Sequence, residues 1–190
     1  LNSFMFIIKN NYYLYIENTQ SLDFNRLKKN KKISIIYRNN GTQENCSKLY
    51  SLKRNCKNNN FKLYIANDSK LARDCKADGL YLSSYNKKKY FKGNLNLIGA
   101  AHNFKEIYEK IKQGCHTIIL SRLFKTSYKN KKGYMNIIKF NLIKKNYLIN
   151  LIPLGGINSS NLLKLNLINA DGFGLLSEVK KKPAITSRLF

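Results

Sequence analysis

Short apolar runs alternate with longer segments of mixed polarity along most of this 190-residue chain. The runs are rich in Ile, Leu and Tyr and are bounded by Asn, Asp, Gly and Lys, which is typical of buried β-strands. We predict eight strands, at Tyr12–Ile16, Ile33–Tyr37, Phe61–Ala66, Gly79–Leu82, Leu95–Ile98, Thr117–Leu120, Leu151–Leu154 and Phe173–Leu176.

Several segments between these strands have helical periodicity. The clearest follows the fifth strand, where Phe104, Ile107, Tyr108 and Ile111 recur at i, i+3, i+4 and i+7. Asn103 can cap this helix, and the acidic residue three positions later completes a capping-box pattern. Other helices are predicted at Cys46–Cys56, Leu71–Cys75 and Tyr134–Lys145, and in the leucine-rich segment after Asn158–Ser160.

The alternation of strands and helices predicts parallel βαβ units. Eight strands fit a closed (β/α)8 TIM barrel, an α/β fold, formed as one compact domain over residues 1–190 with 1–11 as a candidate extra N-terminal segment. Because such barrels usually need about 250 residues, we expect short helices and few long loops. An open doubly wound sheet is the alternative.

The stretch Leu151–Ser177 combines two features of a phosphate site. A strand ends at Gly155-Gly156, and a second strand ends at Ser177. Glycine lets backbone N–H groups approach a ligand, and a helix N-terminus adds partial positive charge. Barrels often bind phosphate in the loops after strands seven and eight. We therefore predict a phosphate cradle here; ordinary glycine turns are the alternative.

The net charge is +25, from 35 Lys and Arg against 10 Asp and Glu. Such a balance suggests nucleic acid as a partner. However, Lys and Asn are abundant everywhere, as expected of an AT-rich genome. The basic runs are also dispersed, at Lys28–Lys32, Lys87–Lys89, Lys129–Lys132 and Lys180–Lys182. We expect no specific nucleic-acid partner, with an RNA-binding accessory role as an alternative.

No apolar run approaches the roughly 20 residues of a membrane span, so we expect no membrane partner and a cytoplasmic location. The chain has four cysteines without a C-x-x-C pair and only two histidines, which disfavours a zinc site. We predict buried free thiols at Cys46, Cys56, Cys75 and Cys115.

Barrel active sites form at the carboxyl ends of the strands. The polar residues predicted there mix cations, one carboxylate, amides and hydroxyls, which suits a ligand with two phosphate groups and Mg²⁺ rather than a Ser-His-Asp mechanism. Plain alternatives exist: Asp68 can be a helix N-cap, Arg38 a solvated cation, and His102 a residue that hydrogen-bonds within its own loop.

The order of the motifs resembles the thiamine phosphate synthase family from about Tyr12 to Ser177. The pieces that carry the resemblance are Asn67-Asp68 with Leu71-Ala72, Ala77-Asp78-Gly79, Thr126 with Lys129, Gly155-Gly156-Ile157, and Ala170-Asp171-Gly172 through Ser177. The resemblance implies a (β/α)8 barrel that joins hydroxymethylpyrimidine diphosphate to thiazole phosphate and releases diphosphate. It also implies Mg²⁺ as cofactor, small phosphorylated thiamine precursors as partners, and a homo-oligomer as a candidate assembly.

The resemblance also implies roles for individual residues. Arg38 and Lys129 are the catalytic candidates, because they would stabilise the departing diphosphate. Asp68 and Asn86 fall at the metal-ligand positions. The substrate-binding candidates are Asn67 beside the metal, Thr126 at the diphosphate, and Gly155, Gly156 and Ser177 at the thiazole phosphate.

This chain departs from the family pattern at several polar positions. The family's Gln-x-Arg-x-Lys reads Ile36-Tyr37-Arg38-Asn39-Asn40, and its acidic second metal ligand aligns with Asn86. The histidine of the related thiazole tautomerases falls at Arg122, which argues against that activity. We therefore predict a transferase, with a non-catalytic phosphate-ligand-binding barrel of the same family as the alternative.

Overall fold

The computed structural model describes residues 11–27, 32–39, 41, 44–90, 95–126 and 133–175. Eight strands lie within these ranges, each within three residues of its predicted bounds. They are β1 Asn11–Ile16, β2 Lys32–Tyr37, β3 Lys62–Ala66, β4 Gly79–Leu82, β5 Asn96–Ala101, β6 Thr117–Ser121, β7 Asn150–Leu154 and β8 Gly172–Leu175.

The strands form a closed parallel barrel in chain order. Closure is made by β8 against β1, where Tyr12 pairs with Phe173 and Leu14 with Leu175. The predicted TIM barrel is therefore confirmed, and the open doubly wound sheet is excluded. Because all strands run the same way, their carboxyl ends open at one mouth of the barrel.

The outer layer is sparse, as expected for a short chain. Its helices are α1 Cys46–Asn58, α2 Ser69–Asp74, α3 Phe104–Lys112 and α4 Asn136–Lys145, with 3-10 helices at Phe24–Arg26 and Leu162–Leu167. The leucine-rich segment after Asn158 is thus a 3-10 helix, and the described residues between β4 and β5 form no helix. No helix in the described part of the chain has the length and apolar character needed to cross a bilayer.

Two apolar layers lie on either side of the strands. The apolar residues on the outer face of the strands pack against the helices. The inner layer fills the barrel lumen with Tyr13, Tyr15, Ile36, Tyr64, Tyr81, Ile98, Ala100, Ile119 and Ile152. The lumen is therefore a solid core with four tyrosines, and it forms the floor beneath the mouth.

Helix α3 does not bury the predicted apolar face. Only Ile107 of that face is fully buried, whereas Phe104 and Tyr108 are 52% and 55% exposed. Lys110 takes an inward position instead and is 0% exposed. The physical reason is a close approach to β5: a Cβ on Gly99 would lie 2.8 Å from Lys110 Cγ. The missing side chain at Gly99 makes room for the lysine stem.

The N-terminus of α3 confirms the predicted cap. The Asn103 side chain accepts a hydrogen bond of 2.9 Å from the Glu106 backbone N–H. The Glu106 carboxylate accepts from the backbone N–H of His102, one residue before the cap, at 2.8 Å. These bonds satisfy backbone donors at the start of the helix.

The cysteine prediction was right at three positions and wrong at one. Cys56, Cys75 and Cys115 are buried free thiols, whereas Cys46 is exposed. Cys46 is the first residue of α1, and its helical spacing from Leu49 does not extend the buried face to the first turn. Burial raises the pKa of Cys56 and Cys115 to about 12, so those thiols remain protonated at neutral pH.

Candidate active site

A cavity of about 320 Å³ opens at the carboxyl ends of β2 and β3. Arg38, Asn67 and Asp68 line it together with the phenol of Tyr85. Arg38 directly follows β2, and its backbone N–H donates to the carbonyl oxygen of Ile16 at 2.8 Å. One cation from the end of β2 and an adjacent amide and carboxylate from the end of β3 are thus brought into a single cavity.

Asn67 is the hydrogen-bonding centre of this mouth. Its φ of 61° is in the left-handed region, which asparagine tolerates better than most residues. Its Nδ2 donates to the hydroxyls of Ser83 and Tyr85 at 2.8 and 3.1 Å. Its Oδ1 accepts from the Ser83 backbone N–H at 2.9 Å and from Asn86 Nδ2 at 3.1 Å. The amide therefore ties the end of β3 to the loop after β4.

Asn86 is buried in that loop and is oriented by several partners. Besides its bond to Asn67, its Nδ2 donates to the Tyr90 hydroxyl at 3.0 Å. Its Oδ1 accepts from the Lys88 backbone N–H at 2.9 Å. A carboxylate at this position could not donate to the Asn67 oxygen. The amide of Asn86 thus fits a structural role in this loop.

A brace from α3 holds the same loop from below. The backbone carbonyl of Asn86 accepts from Lys110 Nζ at 2.7 Å and from Gln113 Nε2 at 3.0 Å. Gln113 Nε2 also donates to the Lys88 carbonyl at 2.7 Å. Sequence reasoning missed both side chains, because a lysine within a helix is expected to face solvent. The available signal in the sequence was the missing side chain of Gly99 on the neighbouring strand β5, which faces Lys110.

Asp68 is the N-cap of α2. One carboxylate oxygen accepts from the Leu71 backbone N–H at 2.8 Å. The capping alternative is therefore correct, and it does not remove the residue from the cavity, since a carboxylate has a second oxygen and further lone pairs. The negative charge also lies at the favourable end of the helix dipole.

The predicted glycine turn lies beside the loop after β6. Gly155 and Gly156 have φ values of 98° and 71°, which favour glycine. A Cβ on Gly156 would lie 2.5 Å from the Phe124 carbonyl oxygen and 2.6 Å from that of Lys125. Glycine is thus required at this position because protein backbone approaches it closely, in addition to any ligand that binds there.

Thr126 belongs to that same loop. Its hydroxyl accepts a hydrogen bond of 2.9 Å from the Arg122 guanidinium. Arg122 also packs against the turn, since a Cβ on Gly155 would lie 3.2 Å from Arg122 Cγ. The structure therefore adds a cation that the sequence did not assign to this part of the mouth. Lys129 and Ser177, the other predicted phosphate contacts, lie outside the described residues.

His102 follows β5 and hydrogen-bonds within its own loop, as the plain alternative predicted. Its Nδ1 lies 2.9 Å from a Glu106 carboxylate oxygen. Burial alone raises the pKa of Glu106, but the hydrogen bonds from the side chain and backbone of His102 outweigh it, so the pKa of Glu106 is lowered. His102 and Glu106 thus stabilise the N-terminal cap of α3.

The donor set at the mouth is compatible with Mg²⁺ only in combination with a phosphate ligand. Among the described residues, no group of three or more His, Cys, Asp or Glu side chains could hold a metal ion. Asp68 supplies one carboxylate, and the oxygens of Asn67 and Asn86 already accept protein N–H groups. Mg²⁺ is commonly bound by one or two carboxylates plus substrate phosphates. Asp68 and a diphosphate satisfy that requirement.

Comparison with known proteins assigns a family to this barrel. A family model described as thiamine monophosphate synthase matches residues 24–179. A thiamine-phosphate synthase from Clostridium perfringens is 28% identical over 179 residues, covering 86% of this chain and 86% of the relative.

Solved structures give the same fold. A thiamine phosphate pyrophosphorylase from Pyrococcus furiosus superposes with a TM-score of 0.72 at 17% identity, covering 95% of this chain and 93% of that one. A 3-keto-L-gulonate-6-phosphate decarboxylase from Vibrio cholerae superposes with a TM-score of 0.59 at 15% identity, covering 95% and 96%. Because the second enzyme is named for a different reaction, these superpositions show a shared fold and not a shared activity.

Proposed function

Because this chain belongs to the thiamine monophosphate synthase family, we propose that it couples hydroxymethylpyrimidine diphosphate to thiazole phosphate. The bond between the pyrimidine methylene carbon and the diphosphate oxygen breaks, and its electron pair leaves with the diphosphate. The thiazole ring nitrogen then forms the new C–N bond with its own lone pair. The products are thiamine phosphate and diphosphate.

The observation that carries this proposal is the shared cavity of Arg38, Asn67 and Asp68. A guanidinium binds phosphate oxygens with several N–H donors in a fixed plane. Arg38 is therefore the residue that binds the diphosphate and stabilises the charge it gains as it leaves. Asp68 is the residue that would hold Mg²⁺, which when bound would neutralise part of the same charge.

No general base is required for this reaction, because the attacking nitrogen has no proton to lose. His102 lies in contact with Glu106 within its own loop, which is consistent with a reaction that needs no general base. The contribution of the protein is then to position two ligands and to stabilise charge. Thr126, Gly155 and Gly156 would contact the phosphate groups from the opposite side of the mouth, with Lys129 and Ser177 as further proposed contacts.

A coupling assay with both precursors and Mg²⁺ tests the proposal. The decisive variant is Asp68→Asn, because asparagine is as good an N-cap as aspartate and only the charge is lost. We expect turnover to fall by at least about tenfold with little change in melting temperature, as is usual when a charged group is removed from a phosphate site. Asp74→Asn, at the other end of α2, is the matched control.

A non-catalytic phosphate-ligand-binding barrel is the second candidate. The observation that favours it is Asn86, whose amide is committed to Asn67 and Tyr90 where the family pattern has an acidic ligand. Calorimetry beside the coupling assay distinguishes the two functions. Tight binding of the pyrimidine diphosphate without product would support the second candidate and reject the first.

A further inference from the structure

The side-chain amide of Asn67 has all its hydrogen bonds made within the protein. An amide side chain offers two N–H donors and one oxygen with two lone pairs. Both hydrogens of Asn67 are used, on the hydroxyl oxygens of Ser83 at 2.8 Å and Tyr85 at 3.1 Å. The oxygen accepts from the Ser83 backbone N–H at 2.9 Å and from Asn86 Nδ2 at 3.1 Å. The amide predicted to contact substrate is therefore committed to protein partners.

The orientation of the Asn67 amide follows from a donor that cannot change its role. The backbone N–H of Ser83 can only donate, so the amide atom 2.9 Å from it must be the oxygen. The amide nitrogen then lies against the two hydroxyls and can only donate to them. The hydroxyl oxygen of Tyr85 is thus the acceptor in this contact, and its own hydrogen is left for another partner.

The hydroxyl hydrogen of Tyr85 lies where a ligand can accept it. The side chain lines the cavity of about 320 Å³ together with Arg38 and Asp68, and it is 67% exposed. Within the described residues, the hydrogen bond of this hydroxyl is the one that it accepts from Asn67. Because consecutive hydrogen bonds polarise one another, a phenol that accepts from an amide becomes a better donor.

We propose that the Tyr85 hydroxyl donates a hydrogen bond to a phosphate oxygen of the pyrimidine diphosphate, and that Asn67 is a positioning residue that acts through Tyr85. The proposal rests on the proposed function for its ligand, the diphosphate of the substrate. Ionised phosphate oxygens accept strong, short hydrogen bonds. Arg38 follows β2 and Tyr85 follows β4, so two strand ends supply donors that stabilise the charge gained by the leaving diphosphate.

Calorimetry with inorganic diphosphate and Mg²⁺ tests the hydrogen bond. Tyr85→Phe keeps the ring and removes only the hydroxyl. We expect it to weaken diphosphate binding by roughly 3- to 10-fold, the effect of one hydrogen bond to a charged group at an exposed site.

Tyr90→Phe is the matched control for this measurement. The Tyr90 hydroxyl also accepts from a side-chain amide in the loop after β4, that of Asn86 at 3.0 Å. However, Tyr90 lines a different cavity, which Arg38 does not line. Tyr90→Phe should therefore bind inorganic diphosphate as wild type does.

A double-mutant cycle tests whether Asn67 acts through Tyr85. Asn67→Gly removes the amide, and glycine tolerates the φ of 61° at this position. If the amide orients the phenol, Tyr85→Phe should weaken diphosphate binding less in the Asn67→Gly background than in wild type. Thermal unfolding of each variant shows that the proteins compared are folded at the temperature of the titration.

Three results would overturn the inference. They are unchanged diphosphate affinity of Tyr85→Phe, an equal loss in Tyr90→Phe, or additive losses in the cycle, since Asn67 would then contact the diphosphate itself. The coupling assay separates this inference from the proposed function. A protein whose diphosphate affinity depends on the Tyr85 hydroxyl, but which forms no thiamine phosphate, would support the inference and reject the function. Product formation with unchanged diphosphate affinity in Tyr85→Phe would do the reverse.

Discussion

The ammonium group of Lys110 donates a hydrogen bond of 2.7 Å to the backbone carbonyl of Asn86. A second bond of 2.8 Å reaches the side-chain oxygen of Gln113. The ammonium group of this fully buried lysine, which α3 directs toward β5, thus has two oxygen acceptors. This contact links the outer helix layer to the loop that carries Asn86 into the mouth of the barrel.

Replacing Lys110 with methionine should destabilise the protein. Methionine keeps most of the volume but removes the donor, so the Gln113 oxygen loses its partner. We expect the free energy of unfolding to fall by about 1–3 kcal/mol. Urea unfolding measures this, with Lys112→Met as the control, since Lys112 Nζ lies 4.5 Å from the Tyr108 ring centroid at the surface. Equal stability of the two variants would contradict the brace.

The stability of wild type relative to Lys110→Met should also depend on pH. Burial lowers the pKa of Lys110 below its ordinary value of 10.5. Between the folded and unfolded pKa values the unfolded chain binds more protons, so the contribution of Lys110 to stability rises with pH in that window. The stability of wild type relative to Lys110→Met should therefore increase as the pH rises toward 10.5. A difference that stays constant or decreases would show that the pKa is not lowered.

Gly99 should tolerate a methyl group poorly for a reason that a second mutation can reveal. A Cβ there would lie 2.8 Å from Lys110 Cγ and 3.0 Å from its Cδ. We expect Gly99→Ala to cost about 1–3 kcal/mol, as overpacking usually does. In a Lys110→Ala background those two atoms are gone while the Cβ of residue 110, 2.9 Å away, remains, so the cost should shrink in part. Additive costs in the double-mutant cycle would place the strain elsewhere.

Glu106 should stabilise the protein at neutral pH but not in acid. Its folded pKa is below the ordinary 4.5, so its contribution is present above that pH and is lost as the pH falls through the folded pKa. Glu106→Gln should lower the unfolding free energy by about 1 kcal/mol at pH 7, and the difference should vanish in acid. Glu109→Gln, on the same helix and paired with surface Lys87, is the control. A difference that persists in acid would point to packing instead.

A comparison of alanine substitutions at Gly156 and Gly133 separates the cost of backbone strain from the cost of a steric clash. Both have positive φ, at 71° and 79°, but a Cβ on Gly133 would meet nothing within 4 Å. Gly133→Ala should therefore cost about 1 kcal/mol from strain alone. Gly156→Ala should cost clearly more and weaken phosphate binding, because the loop at Phe124 must move. Unfolding curves and calorimetry with inorganic phosphate measure both effects; equal unfolding costs would remove the clash as the cause.

The sequence by itself determined the strands, the barrel, the cap of α3 and the positive-φ turn at Gly155-Gly156. These features depend on local chemistry: an apolar run buried on both faces becomes a strand, Asn103 caps the helix that follows it, and glycine adopts positive φ. Chain order also placed Arg38, Asn67 and Asp68 at one mouth, because all strand ends of a parallel barrel point the same way.

Only the tertiary structure decided how those residues are used. Asn86 donates to Asn67, and Lys110 is buried beneath the loop that carries Asn86. The edge-to-face contact between the rings of Tyr15 and Tyr81 is likewise visible only once the lumen is assembled. The physical reason is that each contact joins residues far apart in the chain. Whether an amide binds a ligand or another side chain, and whether a lysine is solvated or buried, depends on partners that periodicity and propensity do not specify.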